Sequence, residues 1–356
     1  MRILGIETSC DETAAAVVED GRRVLSDVVA SQQALHRQYG GVVPEIASRA
    51  HIEAILPVVD KALSDAGVSL DGIDAVGVSN RPGLVGSLLI GVSAAKSIAW
   101  ARCKPLVAVD HVRAHLYAYC LESDEQVYPC VALIASGGHT LIFYAESATE
   151  ARILGSTIDD AAGEAFDKVA SILDLGYPGG PVIDRIAKEG NPRAVDFPRS
   201  YLEPGSLNFS FSGVKTAVLY YWKGPAMPGV ATAQRGAKPP TRRRSGDGTP
   251  PAERAPLADV VASLQEAIVD VLVDKTMLAA EKTRAPRVLM GGGVACNSRL
   301  RAKMNAAADA RKLKLLIPSP KFCTDNAAMV AGLAWHLARK NEYAALDLEP
   351  LPGLIR

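Results

Sequence analysis

No two cysteines in this chain fall at CxxC spacing. The six thiols, Cys10, Cys103, Cys120, Cys130, Cys296 and Cys323, are scattered, which excludes a zinc ribbon or a paired redox motif and fits a reducing compartment. No sign of charge dominates either. The 39 Lys and Arg residues balance 39 Asp and Glu, so the whole molecule projects no field toward nucleic acid, and such a partner must meet a local basic patch or another subunit. Although 48% of residues are hydrophobic, no uncharged apolar run reaches the roughly 20 residues of a membrane helix, and no membrane contact is expected. The opening MRILGIETSCDET meets acids too early for a secretory h-region, so the expected location is the cytoplasm. The pattern GxxxxGK[ST] is missing as well, which excludes a P-loop NTPase.

What is present is a large apolar content over 356 residues, enough for two domains. RILGIET, TAAAVVE and RVLSDVVAS read as a three-stranded meander with Asp20-Gly21 as a tight turn. Helical spacing runs from Ile46 to Ala66, closed by Gly67. Strand AVGVS, an apolar helix and strand PLVAVD follow, and His111 opens the next helix. The second half repeats the theme with CVALIA, the turn SGGH and strand TLIFYA, then helices over DDAAGEAFDKVASILDL and PVIDRIAKEG. A helix over 257–282, strand RVLMG, a helix from Asn297, strand KLLIP and a helix from Asp325 complete it. Two halves that each open with a hairpin and continue in α/β units predict a duplicated, two-lobed α/β fold around a nucleotide cleft, as in actin and the sugar kinases. The expected lobes are 1–125 and 126–356, with the helix from about 325 packing back on the first. Residues 223–256 carry seven Lys/Arg against two Asp/Glu, with Pro and Gly and no periodicity; a disordered basic insertion is expected there.

The chemistry-bearing residues are few. In DHVRAHLYAY, His111 and His115 are four apart, so a helix puts both imidazoles on one face at the edge where α/β sheets collect ligands. The plain alternative is two half-buried histidines with backbone partners. Asp325, in CTDNAAM, is either an N-cap or a third ligand. Two histidines and one carboxylate suit Fe(II) first and Zn(II) second. Three glycine turns, SGGH, YPGGP and MGGGVACNSR, could bring backbone close to a phosphate or nucleoside. Asp167 and Asp184 flank YPGGP and are either ribose-binding carboxylates or solvated helix-face acids. Asp11 and Glu12 sit at the first hairpin turn, where acids either position a nucleophile or cation or simply shape the turn.

Taken in order, GIETSCDETAAAVV, GGVVPEIASRAH, PGLVGSLLIG, DHVRAHLYA, ASGGHT, DDAAGEAFDKVA, YPGGP, FSFSGVKTA, GGGVACNSRLR and CTDNAAM resemble the full motif series of the TsaD/Kae/Gcp family, from Ile3 to about Leu337. The resemblance implies an actin-like (ASKHA) fold. It implies a tRNA N6-adenosine threonylcarbamoyltransferase that moves the threonylcarbamoyl group of threonylcarbamoyl-AMP to adenosine 37 of tRNAs reading ANN codons, releasing AMP. Carried over by motif, His111, His115 and Asp325 match the metal positions. Ile134, Ala135, Ser136, Gly137, Gly138, Asp167, Gly180, Asp184 and Asn297 match the donor-binding ones. The resemblance also implies one divalent metal per subunit and activity with TsaB-like and TsaE-like subunits on the tRNA anticodon loop. Asp11, Glu12 and a donor phosphate oxygen all remain candidates for the general base. Rival readings are a small-molecule kinase or ATPase of the same fold, a non-catalytic scaffold, and a metalloprotease. The last needs the Glu of HExxH and meets Val112 instead.

Overall fold

The computed structural model describes residues 1–224 and 255–353. The basic insertion expected at 223–256 lies outside the described residues except for two positions at each end. The chain opens with β1 (Arg2–Glu7), β2 (Glu12–Glu19) and β3 (Arg23–Ser31), an antiparallel meander in which Ile3 faces Val18 and Ile6 faces Ala15. Asp20 and Gly21 form the connecting turn with φ of 50° and 75°, the left-handed pair that matches strand twist. After α1 (Gln33–His36) comes α2 (Pro44–Ala66), which starts on a proline in its first turn and stops at left-handed Gly67. Then follow β4 (Ala75–Arg81), α3 (Val85–Ala101), β5 (Leu106–Asp110) and α4 (His111–Tyr117). The first sheet has the order β3-β2-β1-β4-β5, with β4 parallel to both β1 and β5.

The second half repeats this order. Its elements are β6 (Cys130–Ala135), β7 (Thr140–Ala145), β8 (Ala151–Ser156), α5 (Ala162–Ile172), α6 (Gly179–Ala187), α7 (Ser212–Lys223) and α8 (Leu257–Thr283). They continue with β9 (Arg287–Gly291), α9 (Ser298–Ala310), β10 (Lys314–Leu316), α10 (Pro320–Cys323) and α11 (Ala327–Arg339). The second sheet runs β8-β7-β6-β9-β10, the first sheet's order element for element.

Alternation along the strands divides the core. On β1, Ile3 faces the middle of the molecule while Leu4 and Ile6 face α2 and α3. On β6, Ala132 and Ile134 face the middle while Val131 and Leu133 pack under the second half's helices. The central layer is made by α4 and α11, whose Val112, Leu116, Met329 and Leu333 join residues of both sheets in one cluster. Helix α11 packs on β1, β2, β4 and β5 of the first sheet. It sits very close. A Cβ on Gly5 would lie 2.4 Å from Ala327 O, and one on Gly77 would lie 2.6 Å from Ala334 Cβ. Beyond α11 the chain runs along the outer strand: Ala344 pairs with Leu106 of β5, and Leu351 N donates to Asn80 O.

Candidate active site

Helix α4 begins where β5 ends, capped by Asp110, whose carboxylate accepts from Arg113 N at 3.0 Å. His111 and His115 therefore share a face, with ring centroids 4.8 Å apart and nearly perpendicular. Asp325 reaches them from the loop between α10 and α11. Its Oδ1 lies 3.2 Å from His115 Nε2 and 3.6 Å from His111 Nε2. The three ligand atoms all fall within 4.8 Å of one another. Asp325 does not cap the last helix. That task belongs to Asn326, whose Oδ1 accepts from Met329 N at 2.9 Å. Both ion-pair partners of Asp325 are these histidines, and His115 Nδ1 is buried with no hydrogen-bond partner. Two buried imidazoles and a half-buried carboxylate are a donor set that fits a borderline divalent cation.

The electrostatics of the cluster follow from burial and proximity. Burial alone would lower the His111 imidazole, but the carboxylates of Glu7 and Asp325 outweigh it and lift it to about 10. Asp325 moves the other way: burial would raise it, and His111 and His115 hold it below the usual carboxylate range. His139, in the SGGH turn, is lowered to about 4 by burial and by the nearby His111.

The glycine turns assemble beside this cluster. Ile134 and Ala135 end β6, and Ser136 N donates to His139 O at 2.8 Å to close the hairpin turn. Gly163 N, in the first turn of α5, donates to Ser136 O at 3.1 Å. Gly137, Gly138 and Gly180 face open space, with no atom within 4 Å of a Cβ built on them. Asp167 and Asp184 each hold the start of a neighbouring helix. Asp167 accepts from Gly179 N at 2.7 Å, which ties α5 to the start of α6. Asp184 accepts from Ser298 N and Oγ at 3.1 and 2.8 Å, which ties α6 to the start of α9. Asn297 caps α9 through Leu300 N at 2.9 Å and donates to Gln265 at 2.8 Å. A cavity of about 300 Å³ opens next to it, lined by Gly190, Gln265, Ser298 and Arg299 among others.

Asp11 lies in the turn between β1 and β2, and Glu12 begins β2. Glu12 accepts from Ser31 Oγ at 3.1 Å, and burial followed by the charge of Asp11 pushes its carboxyl up to about 9. Asp325 contributes to that rise, and the charge of Asp11 is also felt at Asp167 and Tyr177. The first hairpin turn, the metal-type cluster and the YPGGP turn are therefore electrostatically linked. Sequence reasoning missed three residues there: Tyr177, His139 and Glu7. The last donates nothing to the surface, being 1% exposed, and its Oε2 lies 2.9 Å from His111 Nδ1.

The chain resembles known proteins over nearly its full length. Residues 23–332 match the family model described as TsaD: tRNA N6-adenosine threonylcarbamoyltransferase. The chain is 49% identical to the tRNA N6-adenosine threonylcarbamoyltransferase of Moorella thermoacetica, over 99% of this chain and 96% of that protein. It is 51% identical to that of Geobacter sulfurreducens, over 98% and 95%. Among solved structures, component A of the Acidaminococcus fermentans (R)-2-hydroxyglutaryl-CoA dehydratase superposes with a TM-score of 0.54 at 12% identity, covering 95% of this chain and 99% of that one. Full-length HypF superposes with a TM-score of 0.57 at 13% identity, covering 96% and 46%. These two carry the fold alone, the two-lobed actin-like α/β architecture. By the family match and its near-full-length relatives, the chain belongs to the TsaD family of tRNA N6-adenosine threonylcarbamoyltransferases.

Proposed function

We propose that this enzyme transfers the threonylcarbamoyl group of threonylcarbamoyl-AMP to N6 of adenosine 37 in tRNAs reading ANN codons, releasing AMP. The observation that carries the reading is the convergence of His111, His115 and Asp325 beside an open glycine turn at Gly137 and Gly138. His111 and His115, through Nε2, and Asp325, through its carboxylate, would hold one divalent metal, Fe(II) first and Zn(II) second. When bound, that ion supplies Lewis-acid charge beside the donor. Every other role falls to the chain. Backbone N–H groups of Gly137 and Gly138 cradle donor oxygens, with Ser136 closing the turn and Ile134 and Ala135 forming the floor. Asp167, Gly180, Asp184 and Asn297, at the starts of α6 and α9, hold the nucleoside half.

The adenine amine is a weak nucleophile, because its lone pair is delocalised into the ring. The protein's contribution is to hold it against the carbonyl carbon in a splayed anticodon loop. The new C–N bond forms as the C–O bond to AMP breaks, and the N6 proton must leave. Burial and the charge of Asp11 favour the protonated form of Glu12, so we assign the acceptor role to Asp11. A TsaB-like and a TsaE-like subunit complete the assembly. Ile52 and Leu56 on α2 with Val85 and Leu89 on α3 are all exposed, an apolar face suited to one of them.

The test is nucleoside mass spectrometry of tRNA incubated with the protein, the two partner subunits and threonylcarbamoyl-AMP. Threonylcarbamoyladenosine should form, fall at least about a hundredfold with Asp11→Asn as for the loss of a general base, and vanish with His115→Ala. Unmodified tRNA together with a phosphorylated small molecule would replace this reading by a kinase.

A further inference from the structure

The imidazole of His111 is fixed from behind by a carboxylate that no metal could reach through it. Glu7 is the last residue of β1, and its side chain is almost fully buried. Three donors surround it. Ser9 N donates to Oε1 at 2.6 Å, Ser79 Oγ donates to Oε2 at 2.5 Å, and His111 Nδ1 lies 2.9 Å from Oε2. His111 is its sole ion-pair partner among the described residues. A carboxylate can only accept, so the proton of the neutral imidazole belongs on Nδ1. That leaves Nε2, 3.6 Å from Asp325 Oδ1, as the nitrogen that gives up its proton when a cation binds between them. His115 has no such support, since its Nδ1 is buried and unpartnered.

We propose that Glu7 is the positioning residue of the cation site: it sets the tautomer and ring orientation of His111 and makes its Nε2 the stronger of the two nitrogen donors. The inference rests on the reading of His111, His115 and Asp325 as a metal site. A hydrogen bond from Nδ1–H to an anion makes the opposite nitrogen more basic and removes the freedom to flip the ring. The carboxylate is itself held by β4 through Ser79 and by the turn through Ser9, so the orientation of His111 is built into the first sheet. His115, packed but not hydrogen-bonded at Nδ1, is the ligand that adjusts to the ion. The site is therefore asymmetric, with one fixed and one adaptable histidine.

The experiment uses the full chain freed of metal and titrated with Co(II) against a chromophoric chelator, with the visible cobalt spectrum as a second readout. The wild type should bind one Co(II), and His115→Ala should bind none. If the wild type binds none, or His115→Ala binds as well as it does, the metal reading falls and this proposal with it. Given wild-type binding, Glu7→Gln should weaken Co(II) affinity by about 10- to 100-fold and shift the cobalt bands. Ser79→Ala, which removes one donor to Glu7, should weaken it less and in the same direction. Tyr117→Phe, a buried change in α4 whose hydroxyl bonds Gly21 O rather than His111, should leave it unchanged. Wild-type affinity in Glu7→Gln overturns the proposal while sparing the metal reading, and so does an equal loss in Tyr117→Phe. Should Glu7→Gln fail to fold, Ser79→Ala decides, and an unaltered affinity there overturns the proposal.

Discussion

Two neighbouring residues divide the labour where the last loop meets α11. Asn326 satisfies the helix start, and Asp325 is thereby free to turn toward the histidines. Asn326→Ala should cost about 1 kcal/mol of stability, as loss of a side-chain cap usually does. Urea unfolding would measure it, and an unchanged midpoint would mean that the cap contributes nothing. In the sequence, Asp325 stood open between cap and ligand, because either of two adjacent cap-forming residues could take the first role. Only the three-dimensional position of α4 settles which does. The spacing of His111 and His115 was legible because a helix converts it directly into a shared face. Glu7 was not, since an acid closing an apolar strand gives no sign of the histidine it will meet 104 residues later. In that stretch the sequence signal lies in the polar turn at Asp11 and Glu12 instead.

Among elements, the strands that alternate or run wholly apolar were visible, as were the helices with a regular apolar stripe. The unseen strand is β8, whose residues are mostly half-buried and without alternation. Its place is set by pairing with β7, a tertiary fact. Helices α8 and α9 show what the charged residues contribute between elements. Glu266 on α8 accepts from Arg299 at 2.6 and 2.9 Å and from Lys303 at 2.8 Å. The Arg299 bonds, with Lys303 behind them and burial opposing, lower the Glu266 carboxyl to about 2. A depressed carboxylate stabilises the fold above its unfolded value near 4.5 and ceases to do so as pH falls through about 2. The stability gap between wild type and Glu266→Gln should thus be full at pH 7 and close between pH 4.5 and 2. Its size should be about 1 kcal/mol, because Arg299 is partly exposed and the pair is screened. Urea titrations at three pH values would measure it, and a gap that persists at pH 2 would contradict the assignment.

At the scale of the whole molecule, α4 and α11 fill the space between two sheets of identical order. The histidines hang from the first sheet's last strand, and Asp325 arrives after the second sheet's. An ion held by all three is a link between the halves that forms only in the folded chain, so it must stabilise that state. Co(II) or Zn(II) at a hundred times its dissociation constant should add about 2.7 kcal/mol. The check is a rise in melting temperature that chelation reverses and that His115→Ala lacks. A rise of the same size in His115→Ala would place the ion elsewhere. No helix among the described residues is long and apolar enough to cross a membrane.

The return of the chain along β5 has a colloidal consequence. Ala344 N donates to Leu106 O, and Lys96 and Asn80 hold the carbonyls of Leu348 and Glu349, while Gly83 N donates to Pro352 O. An outer strand left bare is a template on which a second copy can add its own strand. Here Ala344 already pairs with β5 at Leu106 and the chain beyond it is tied along the edge, so crowded copies of this enzyme find part of that template covered and less room for edge-to-edge growth into fibres.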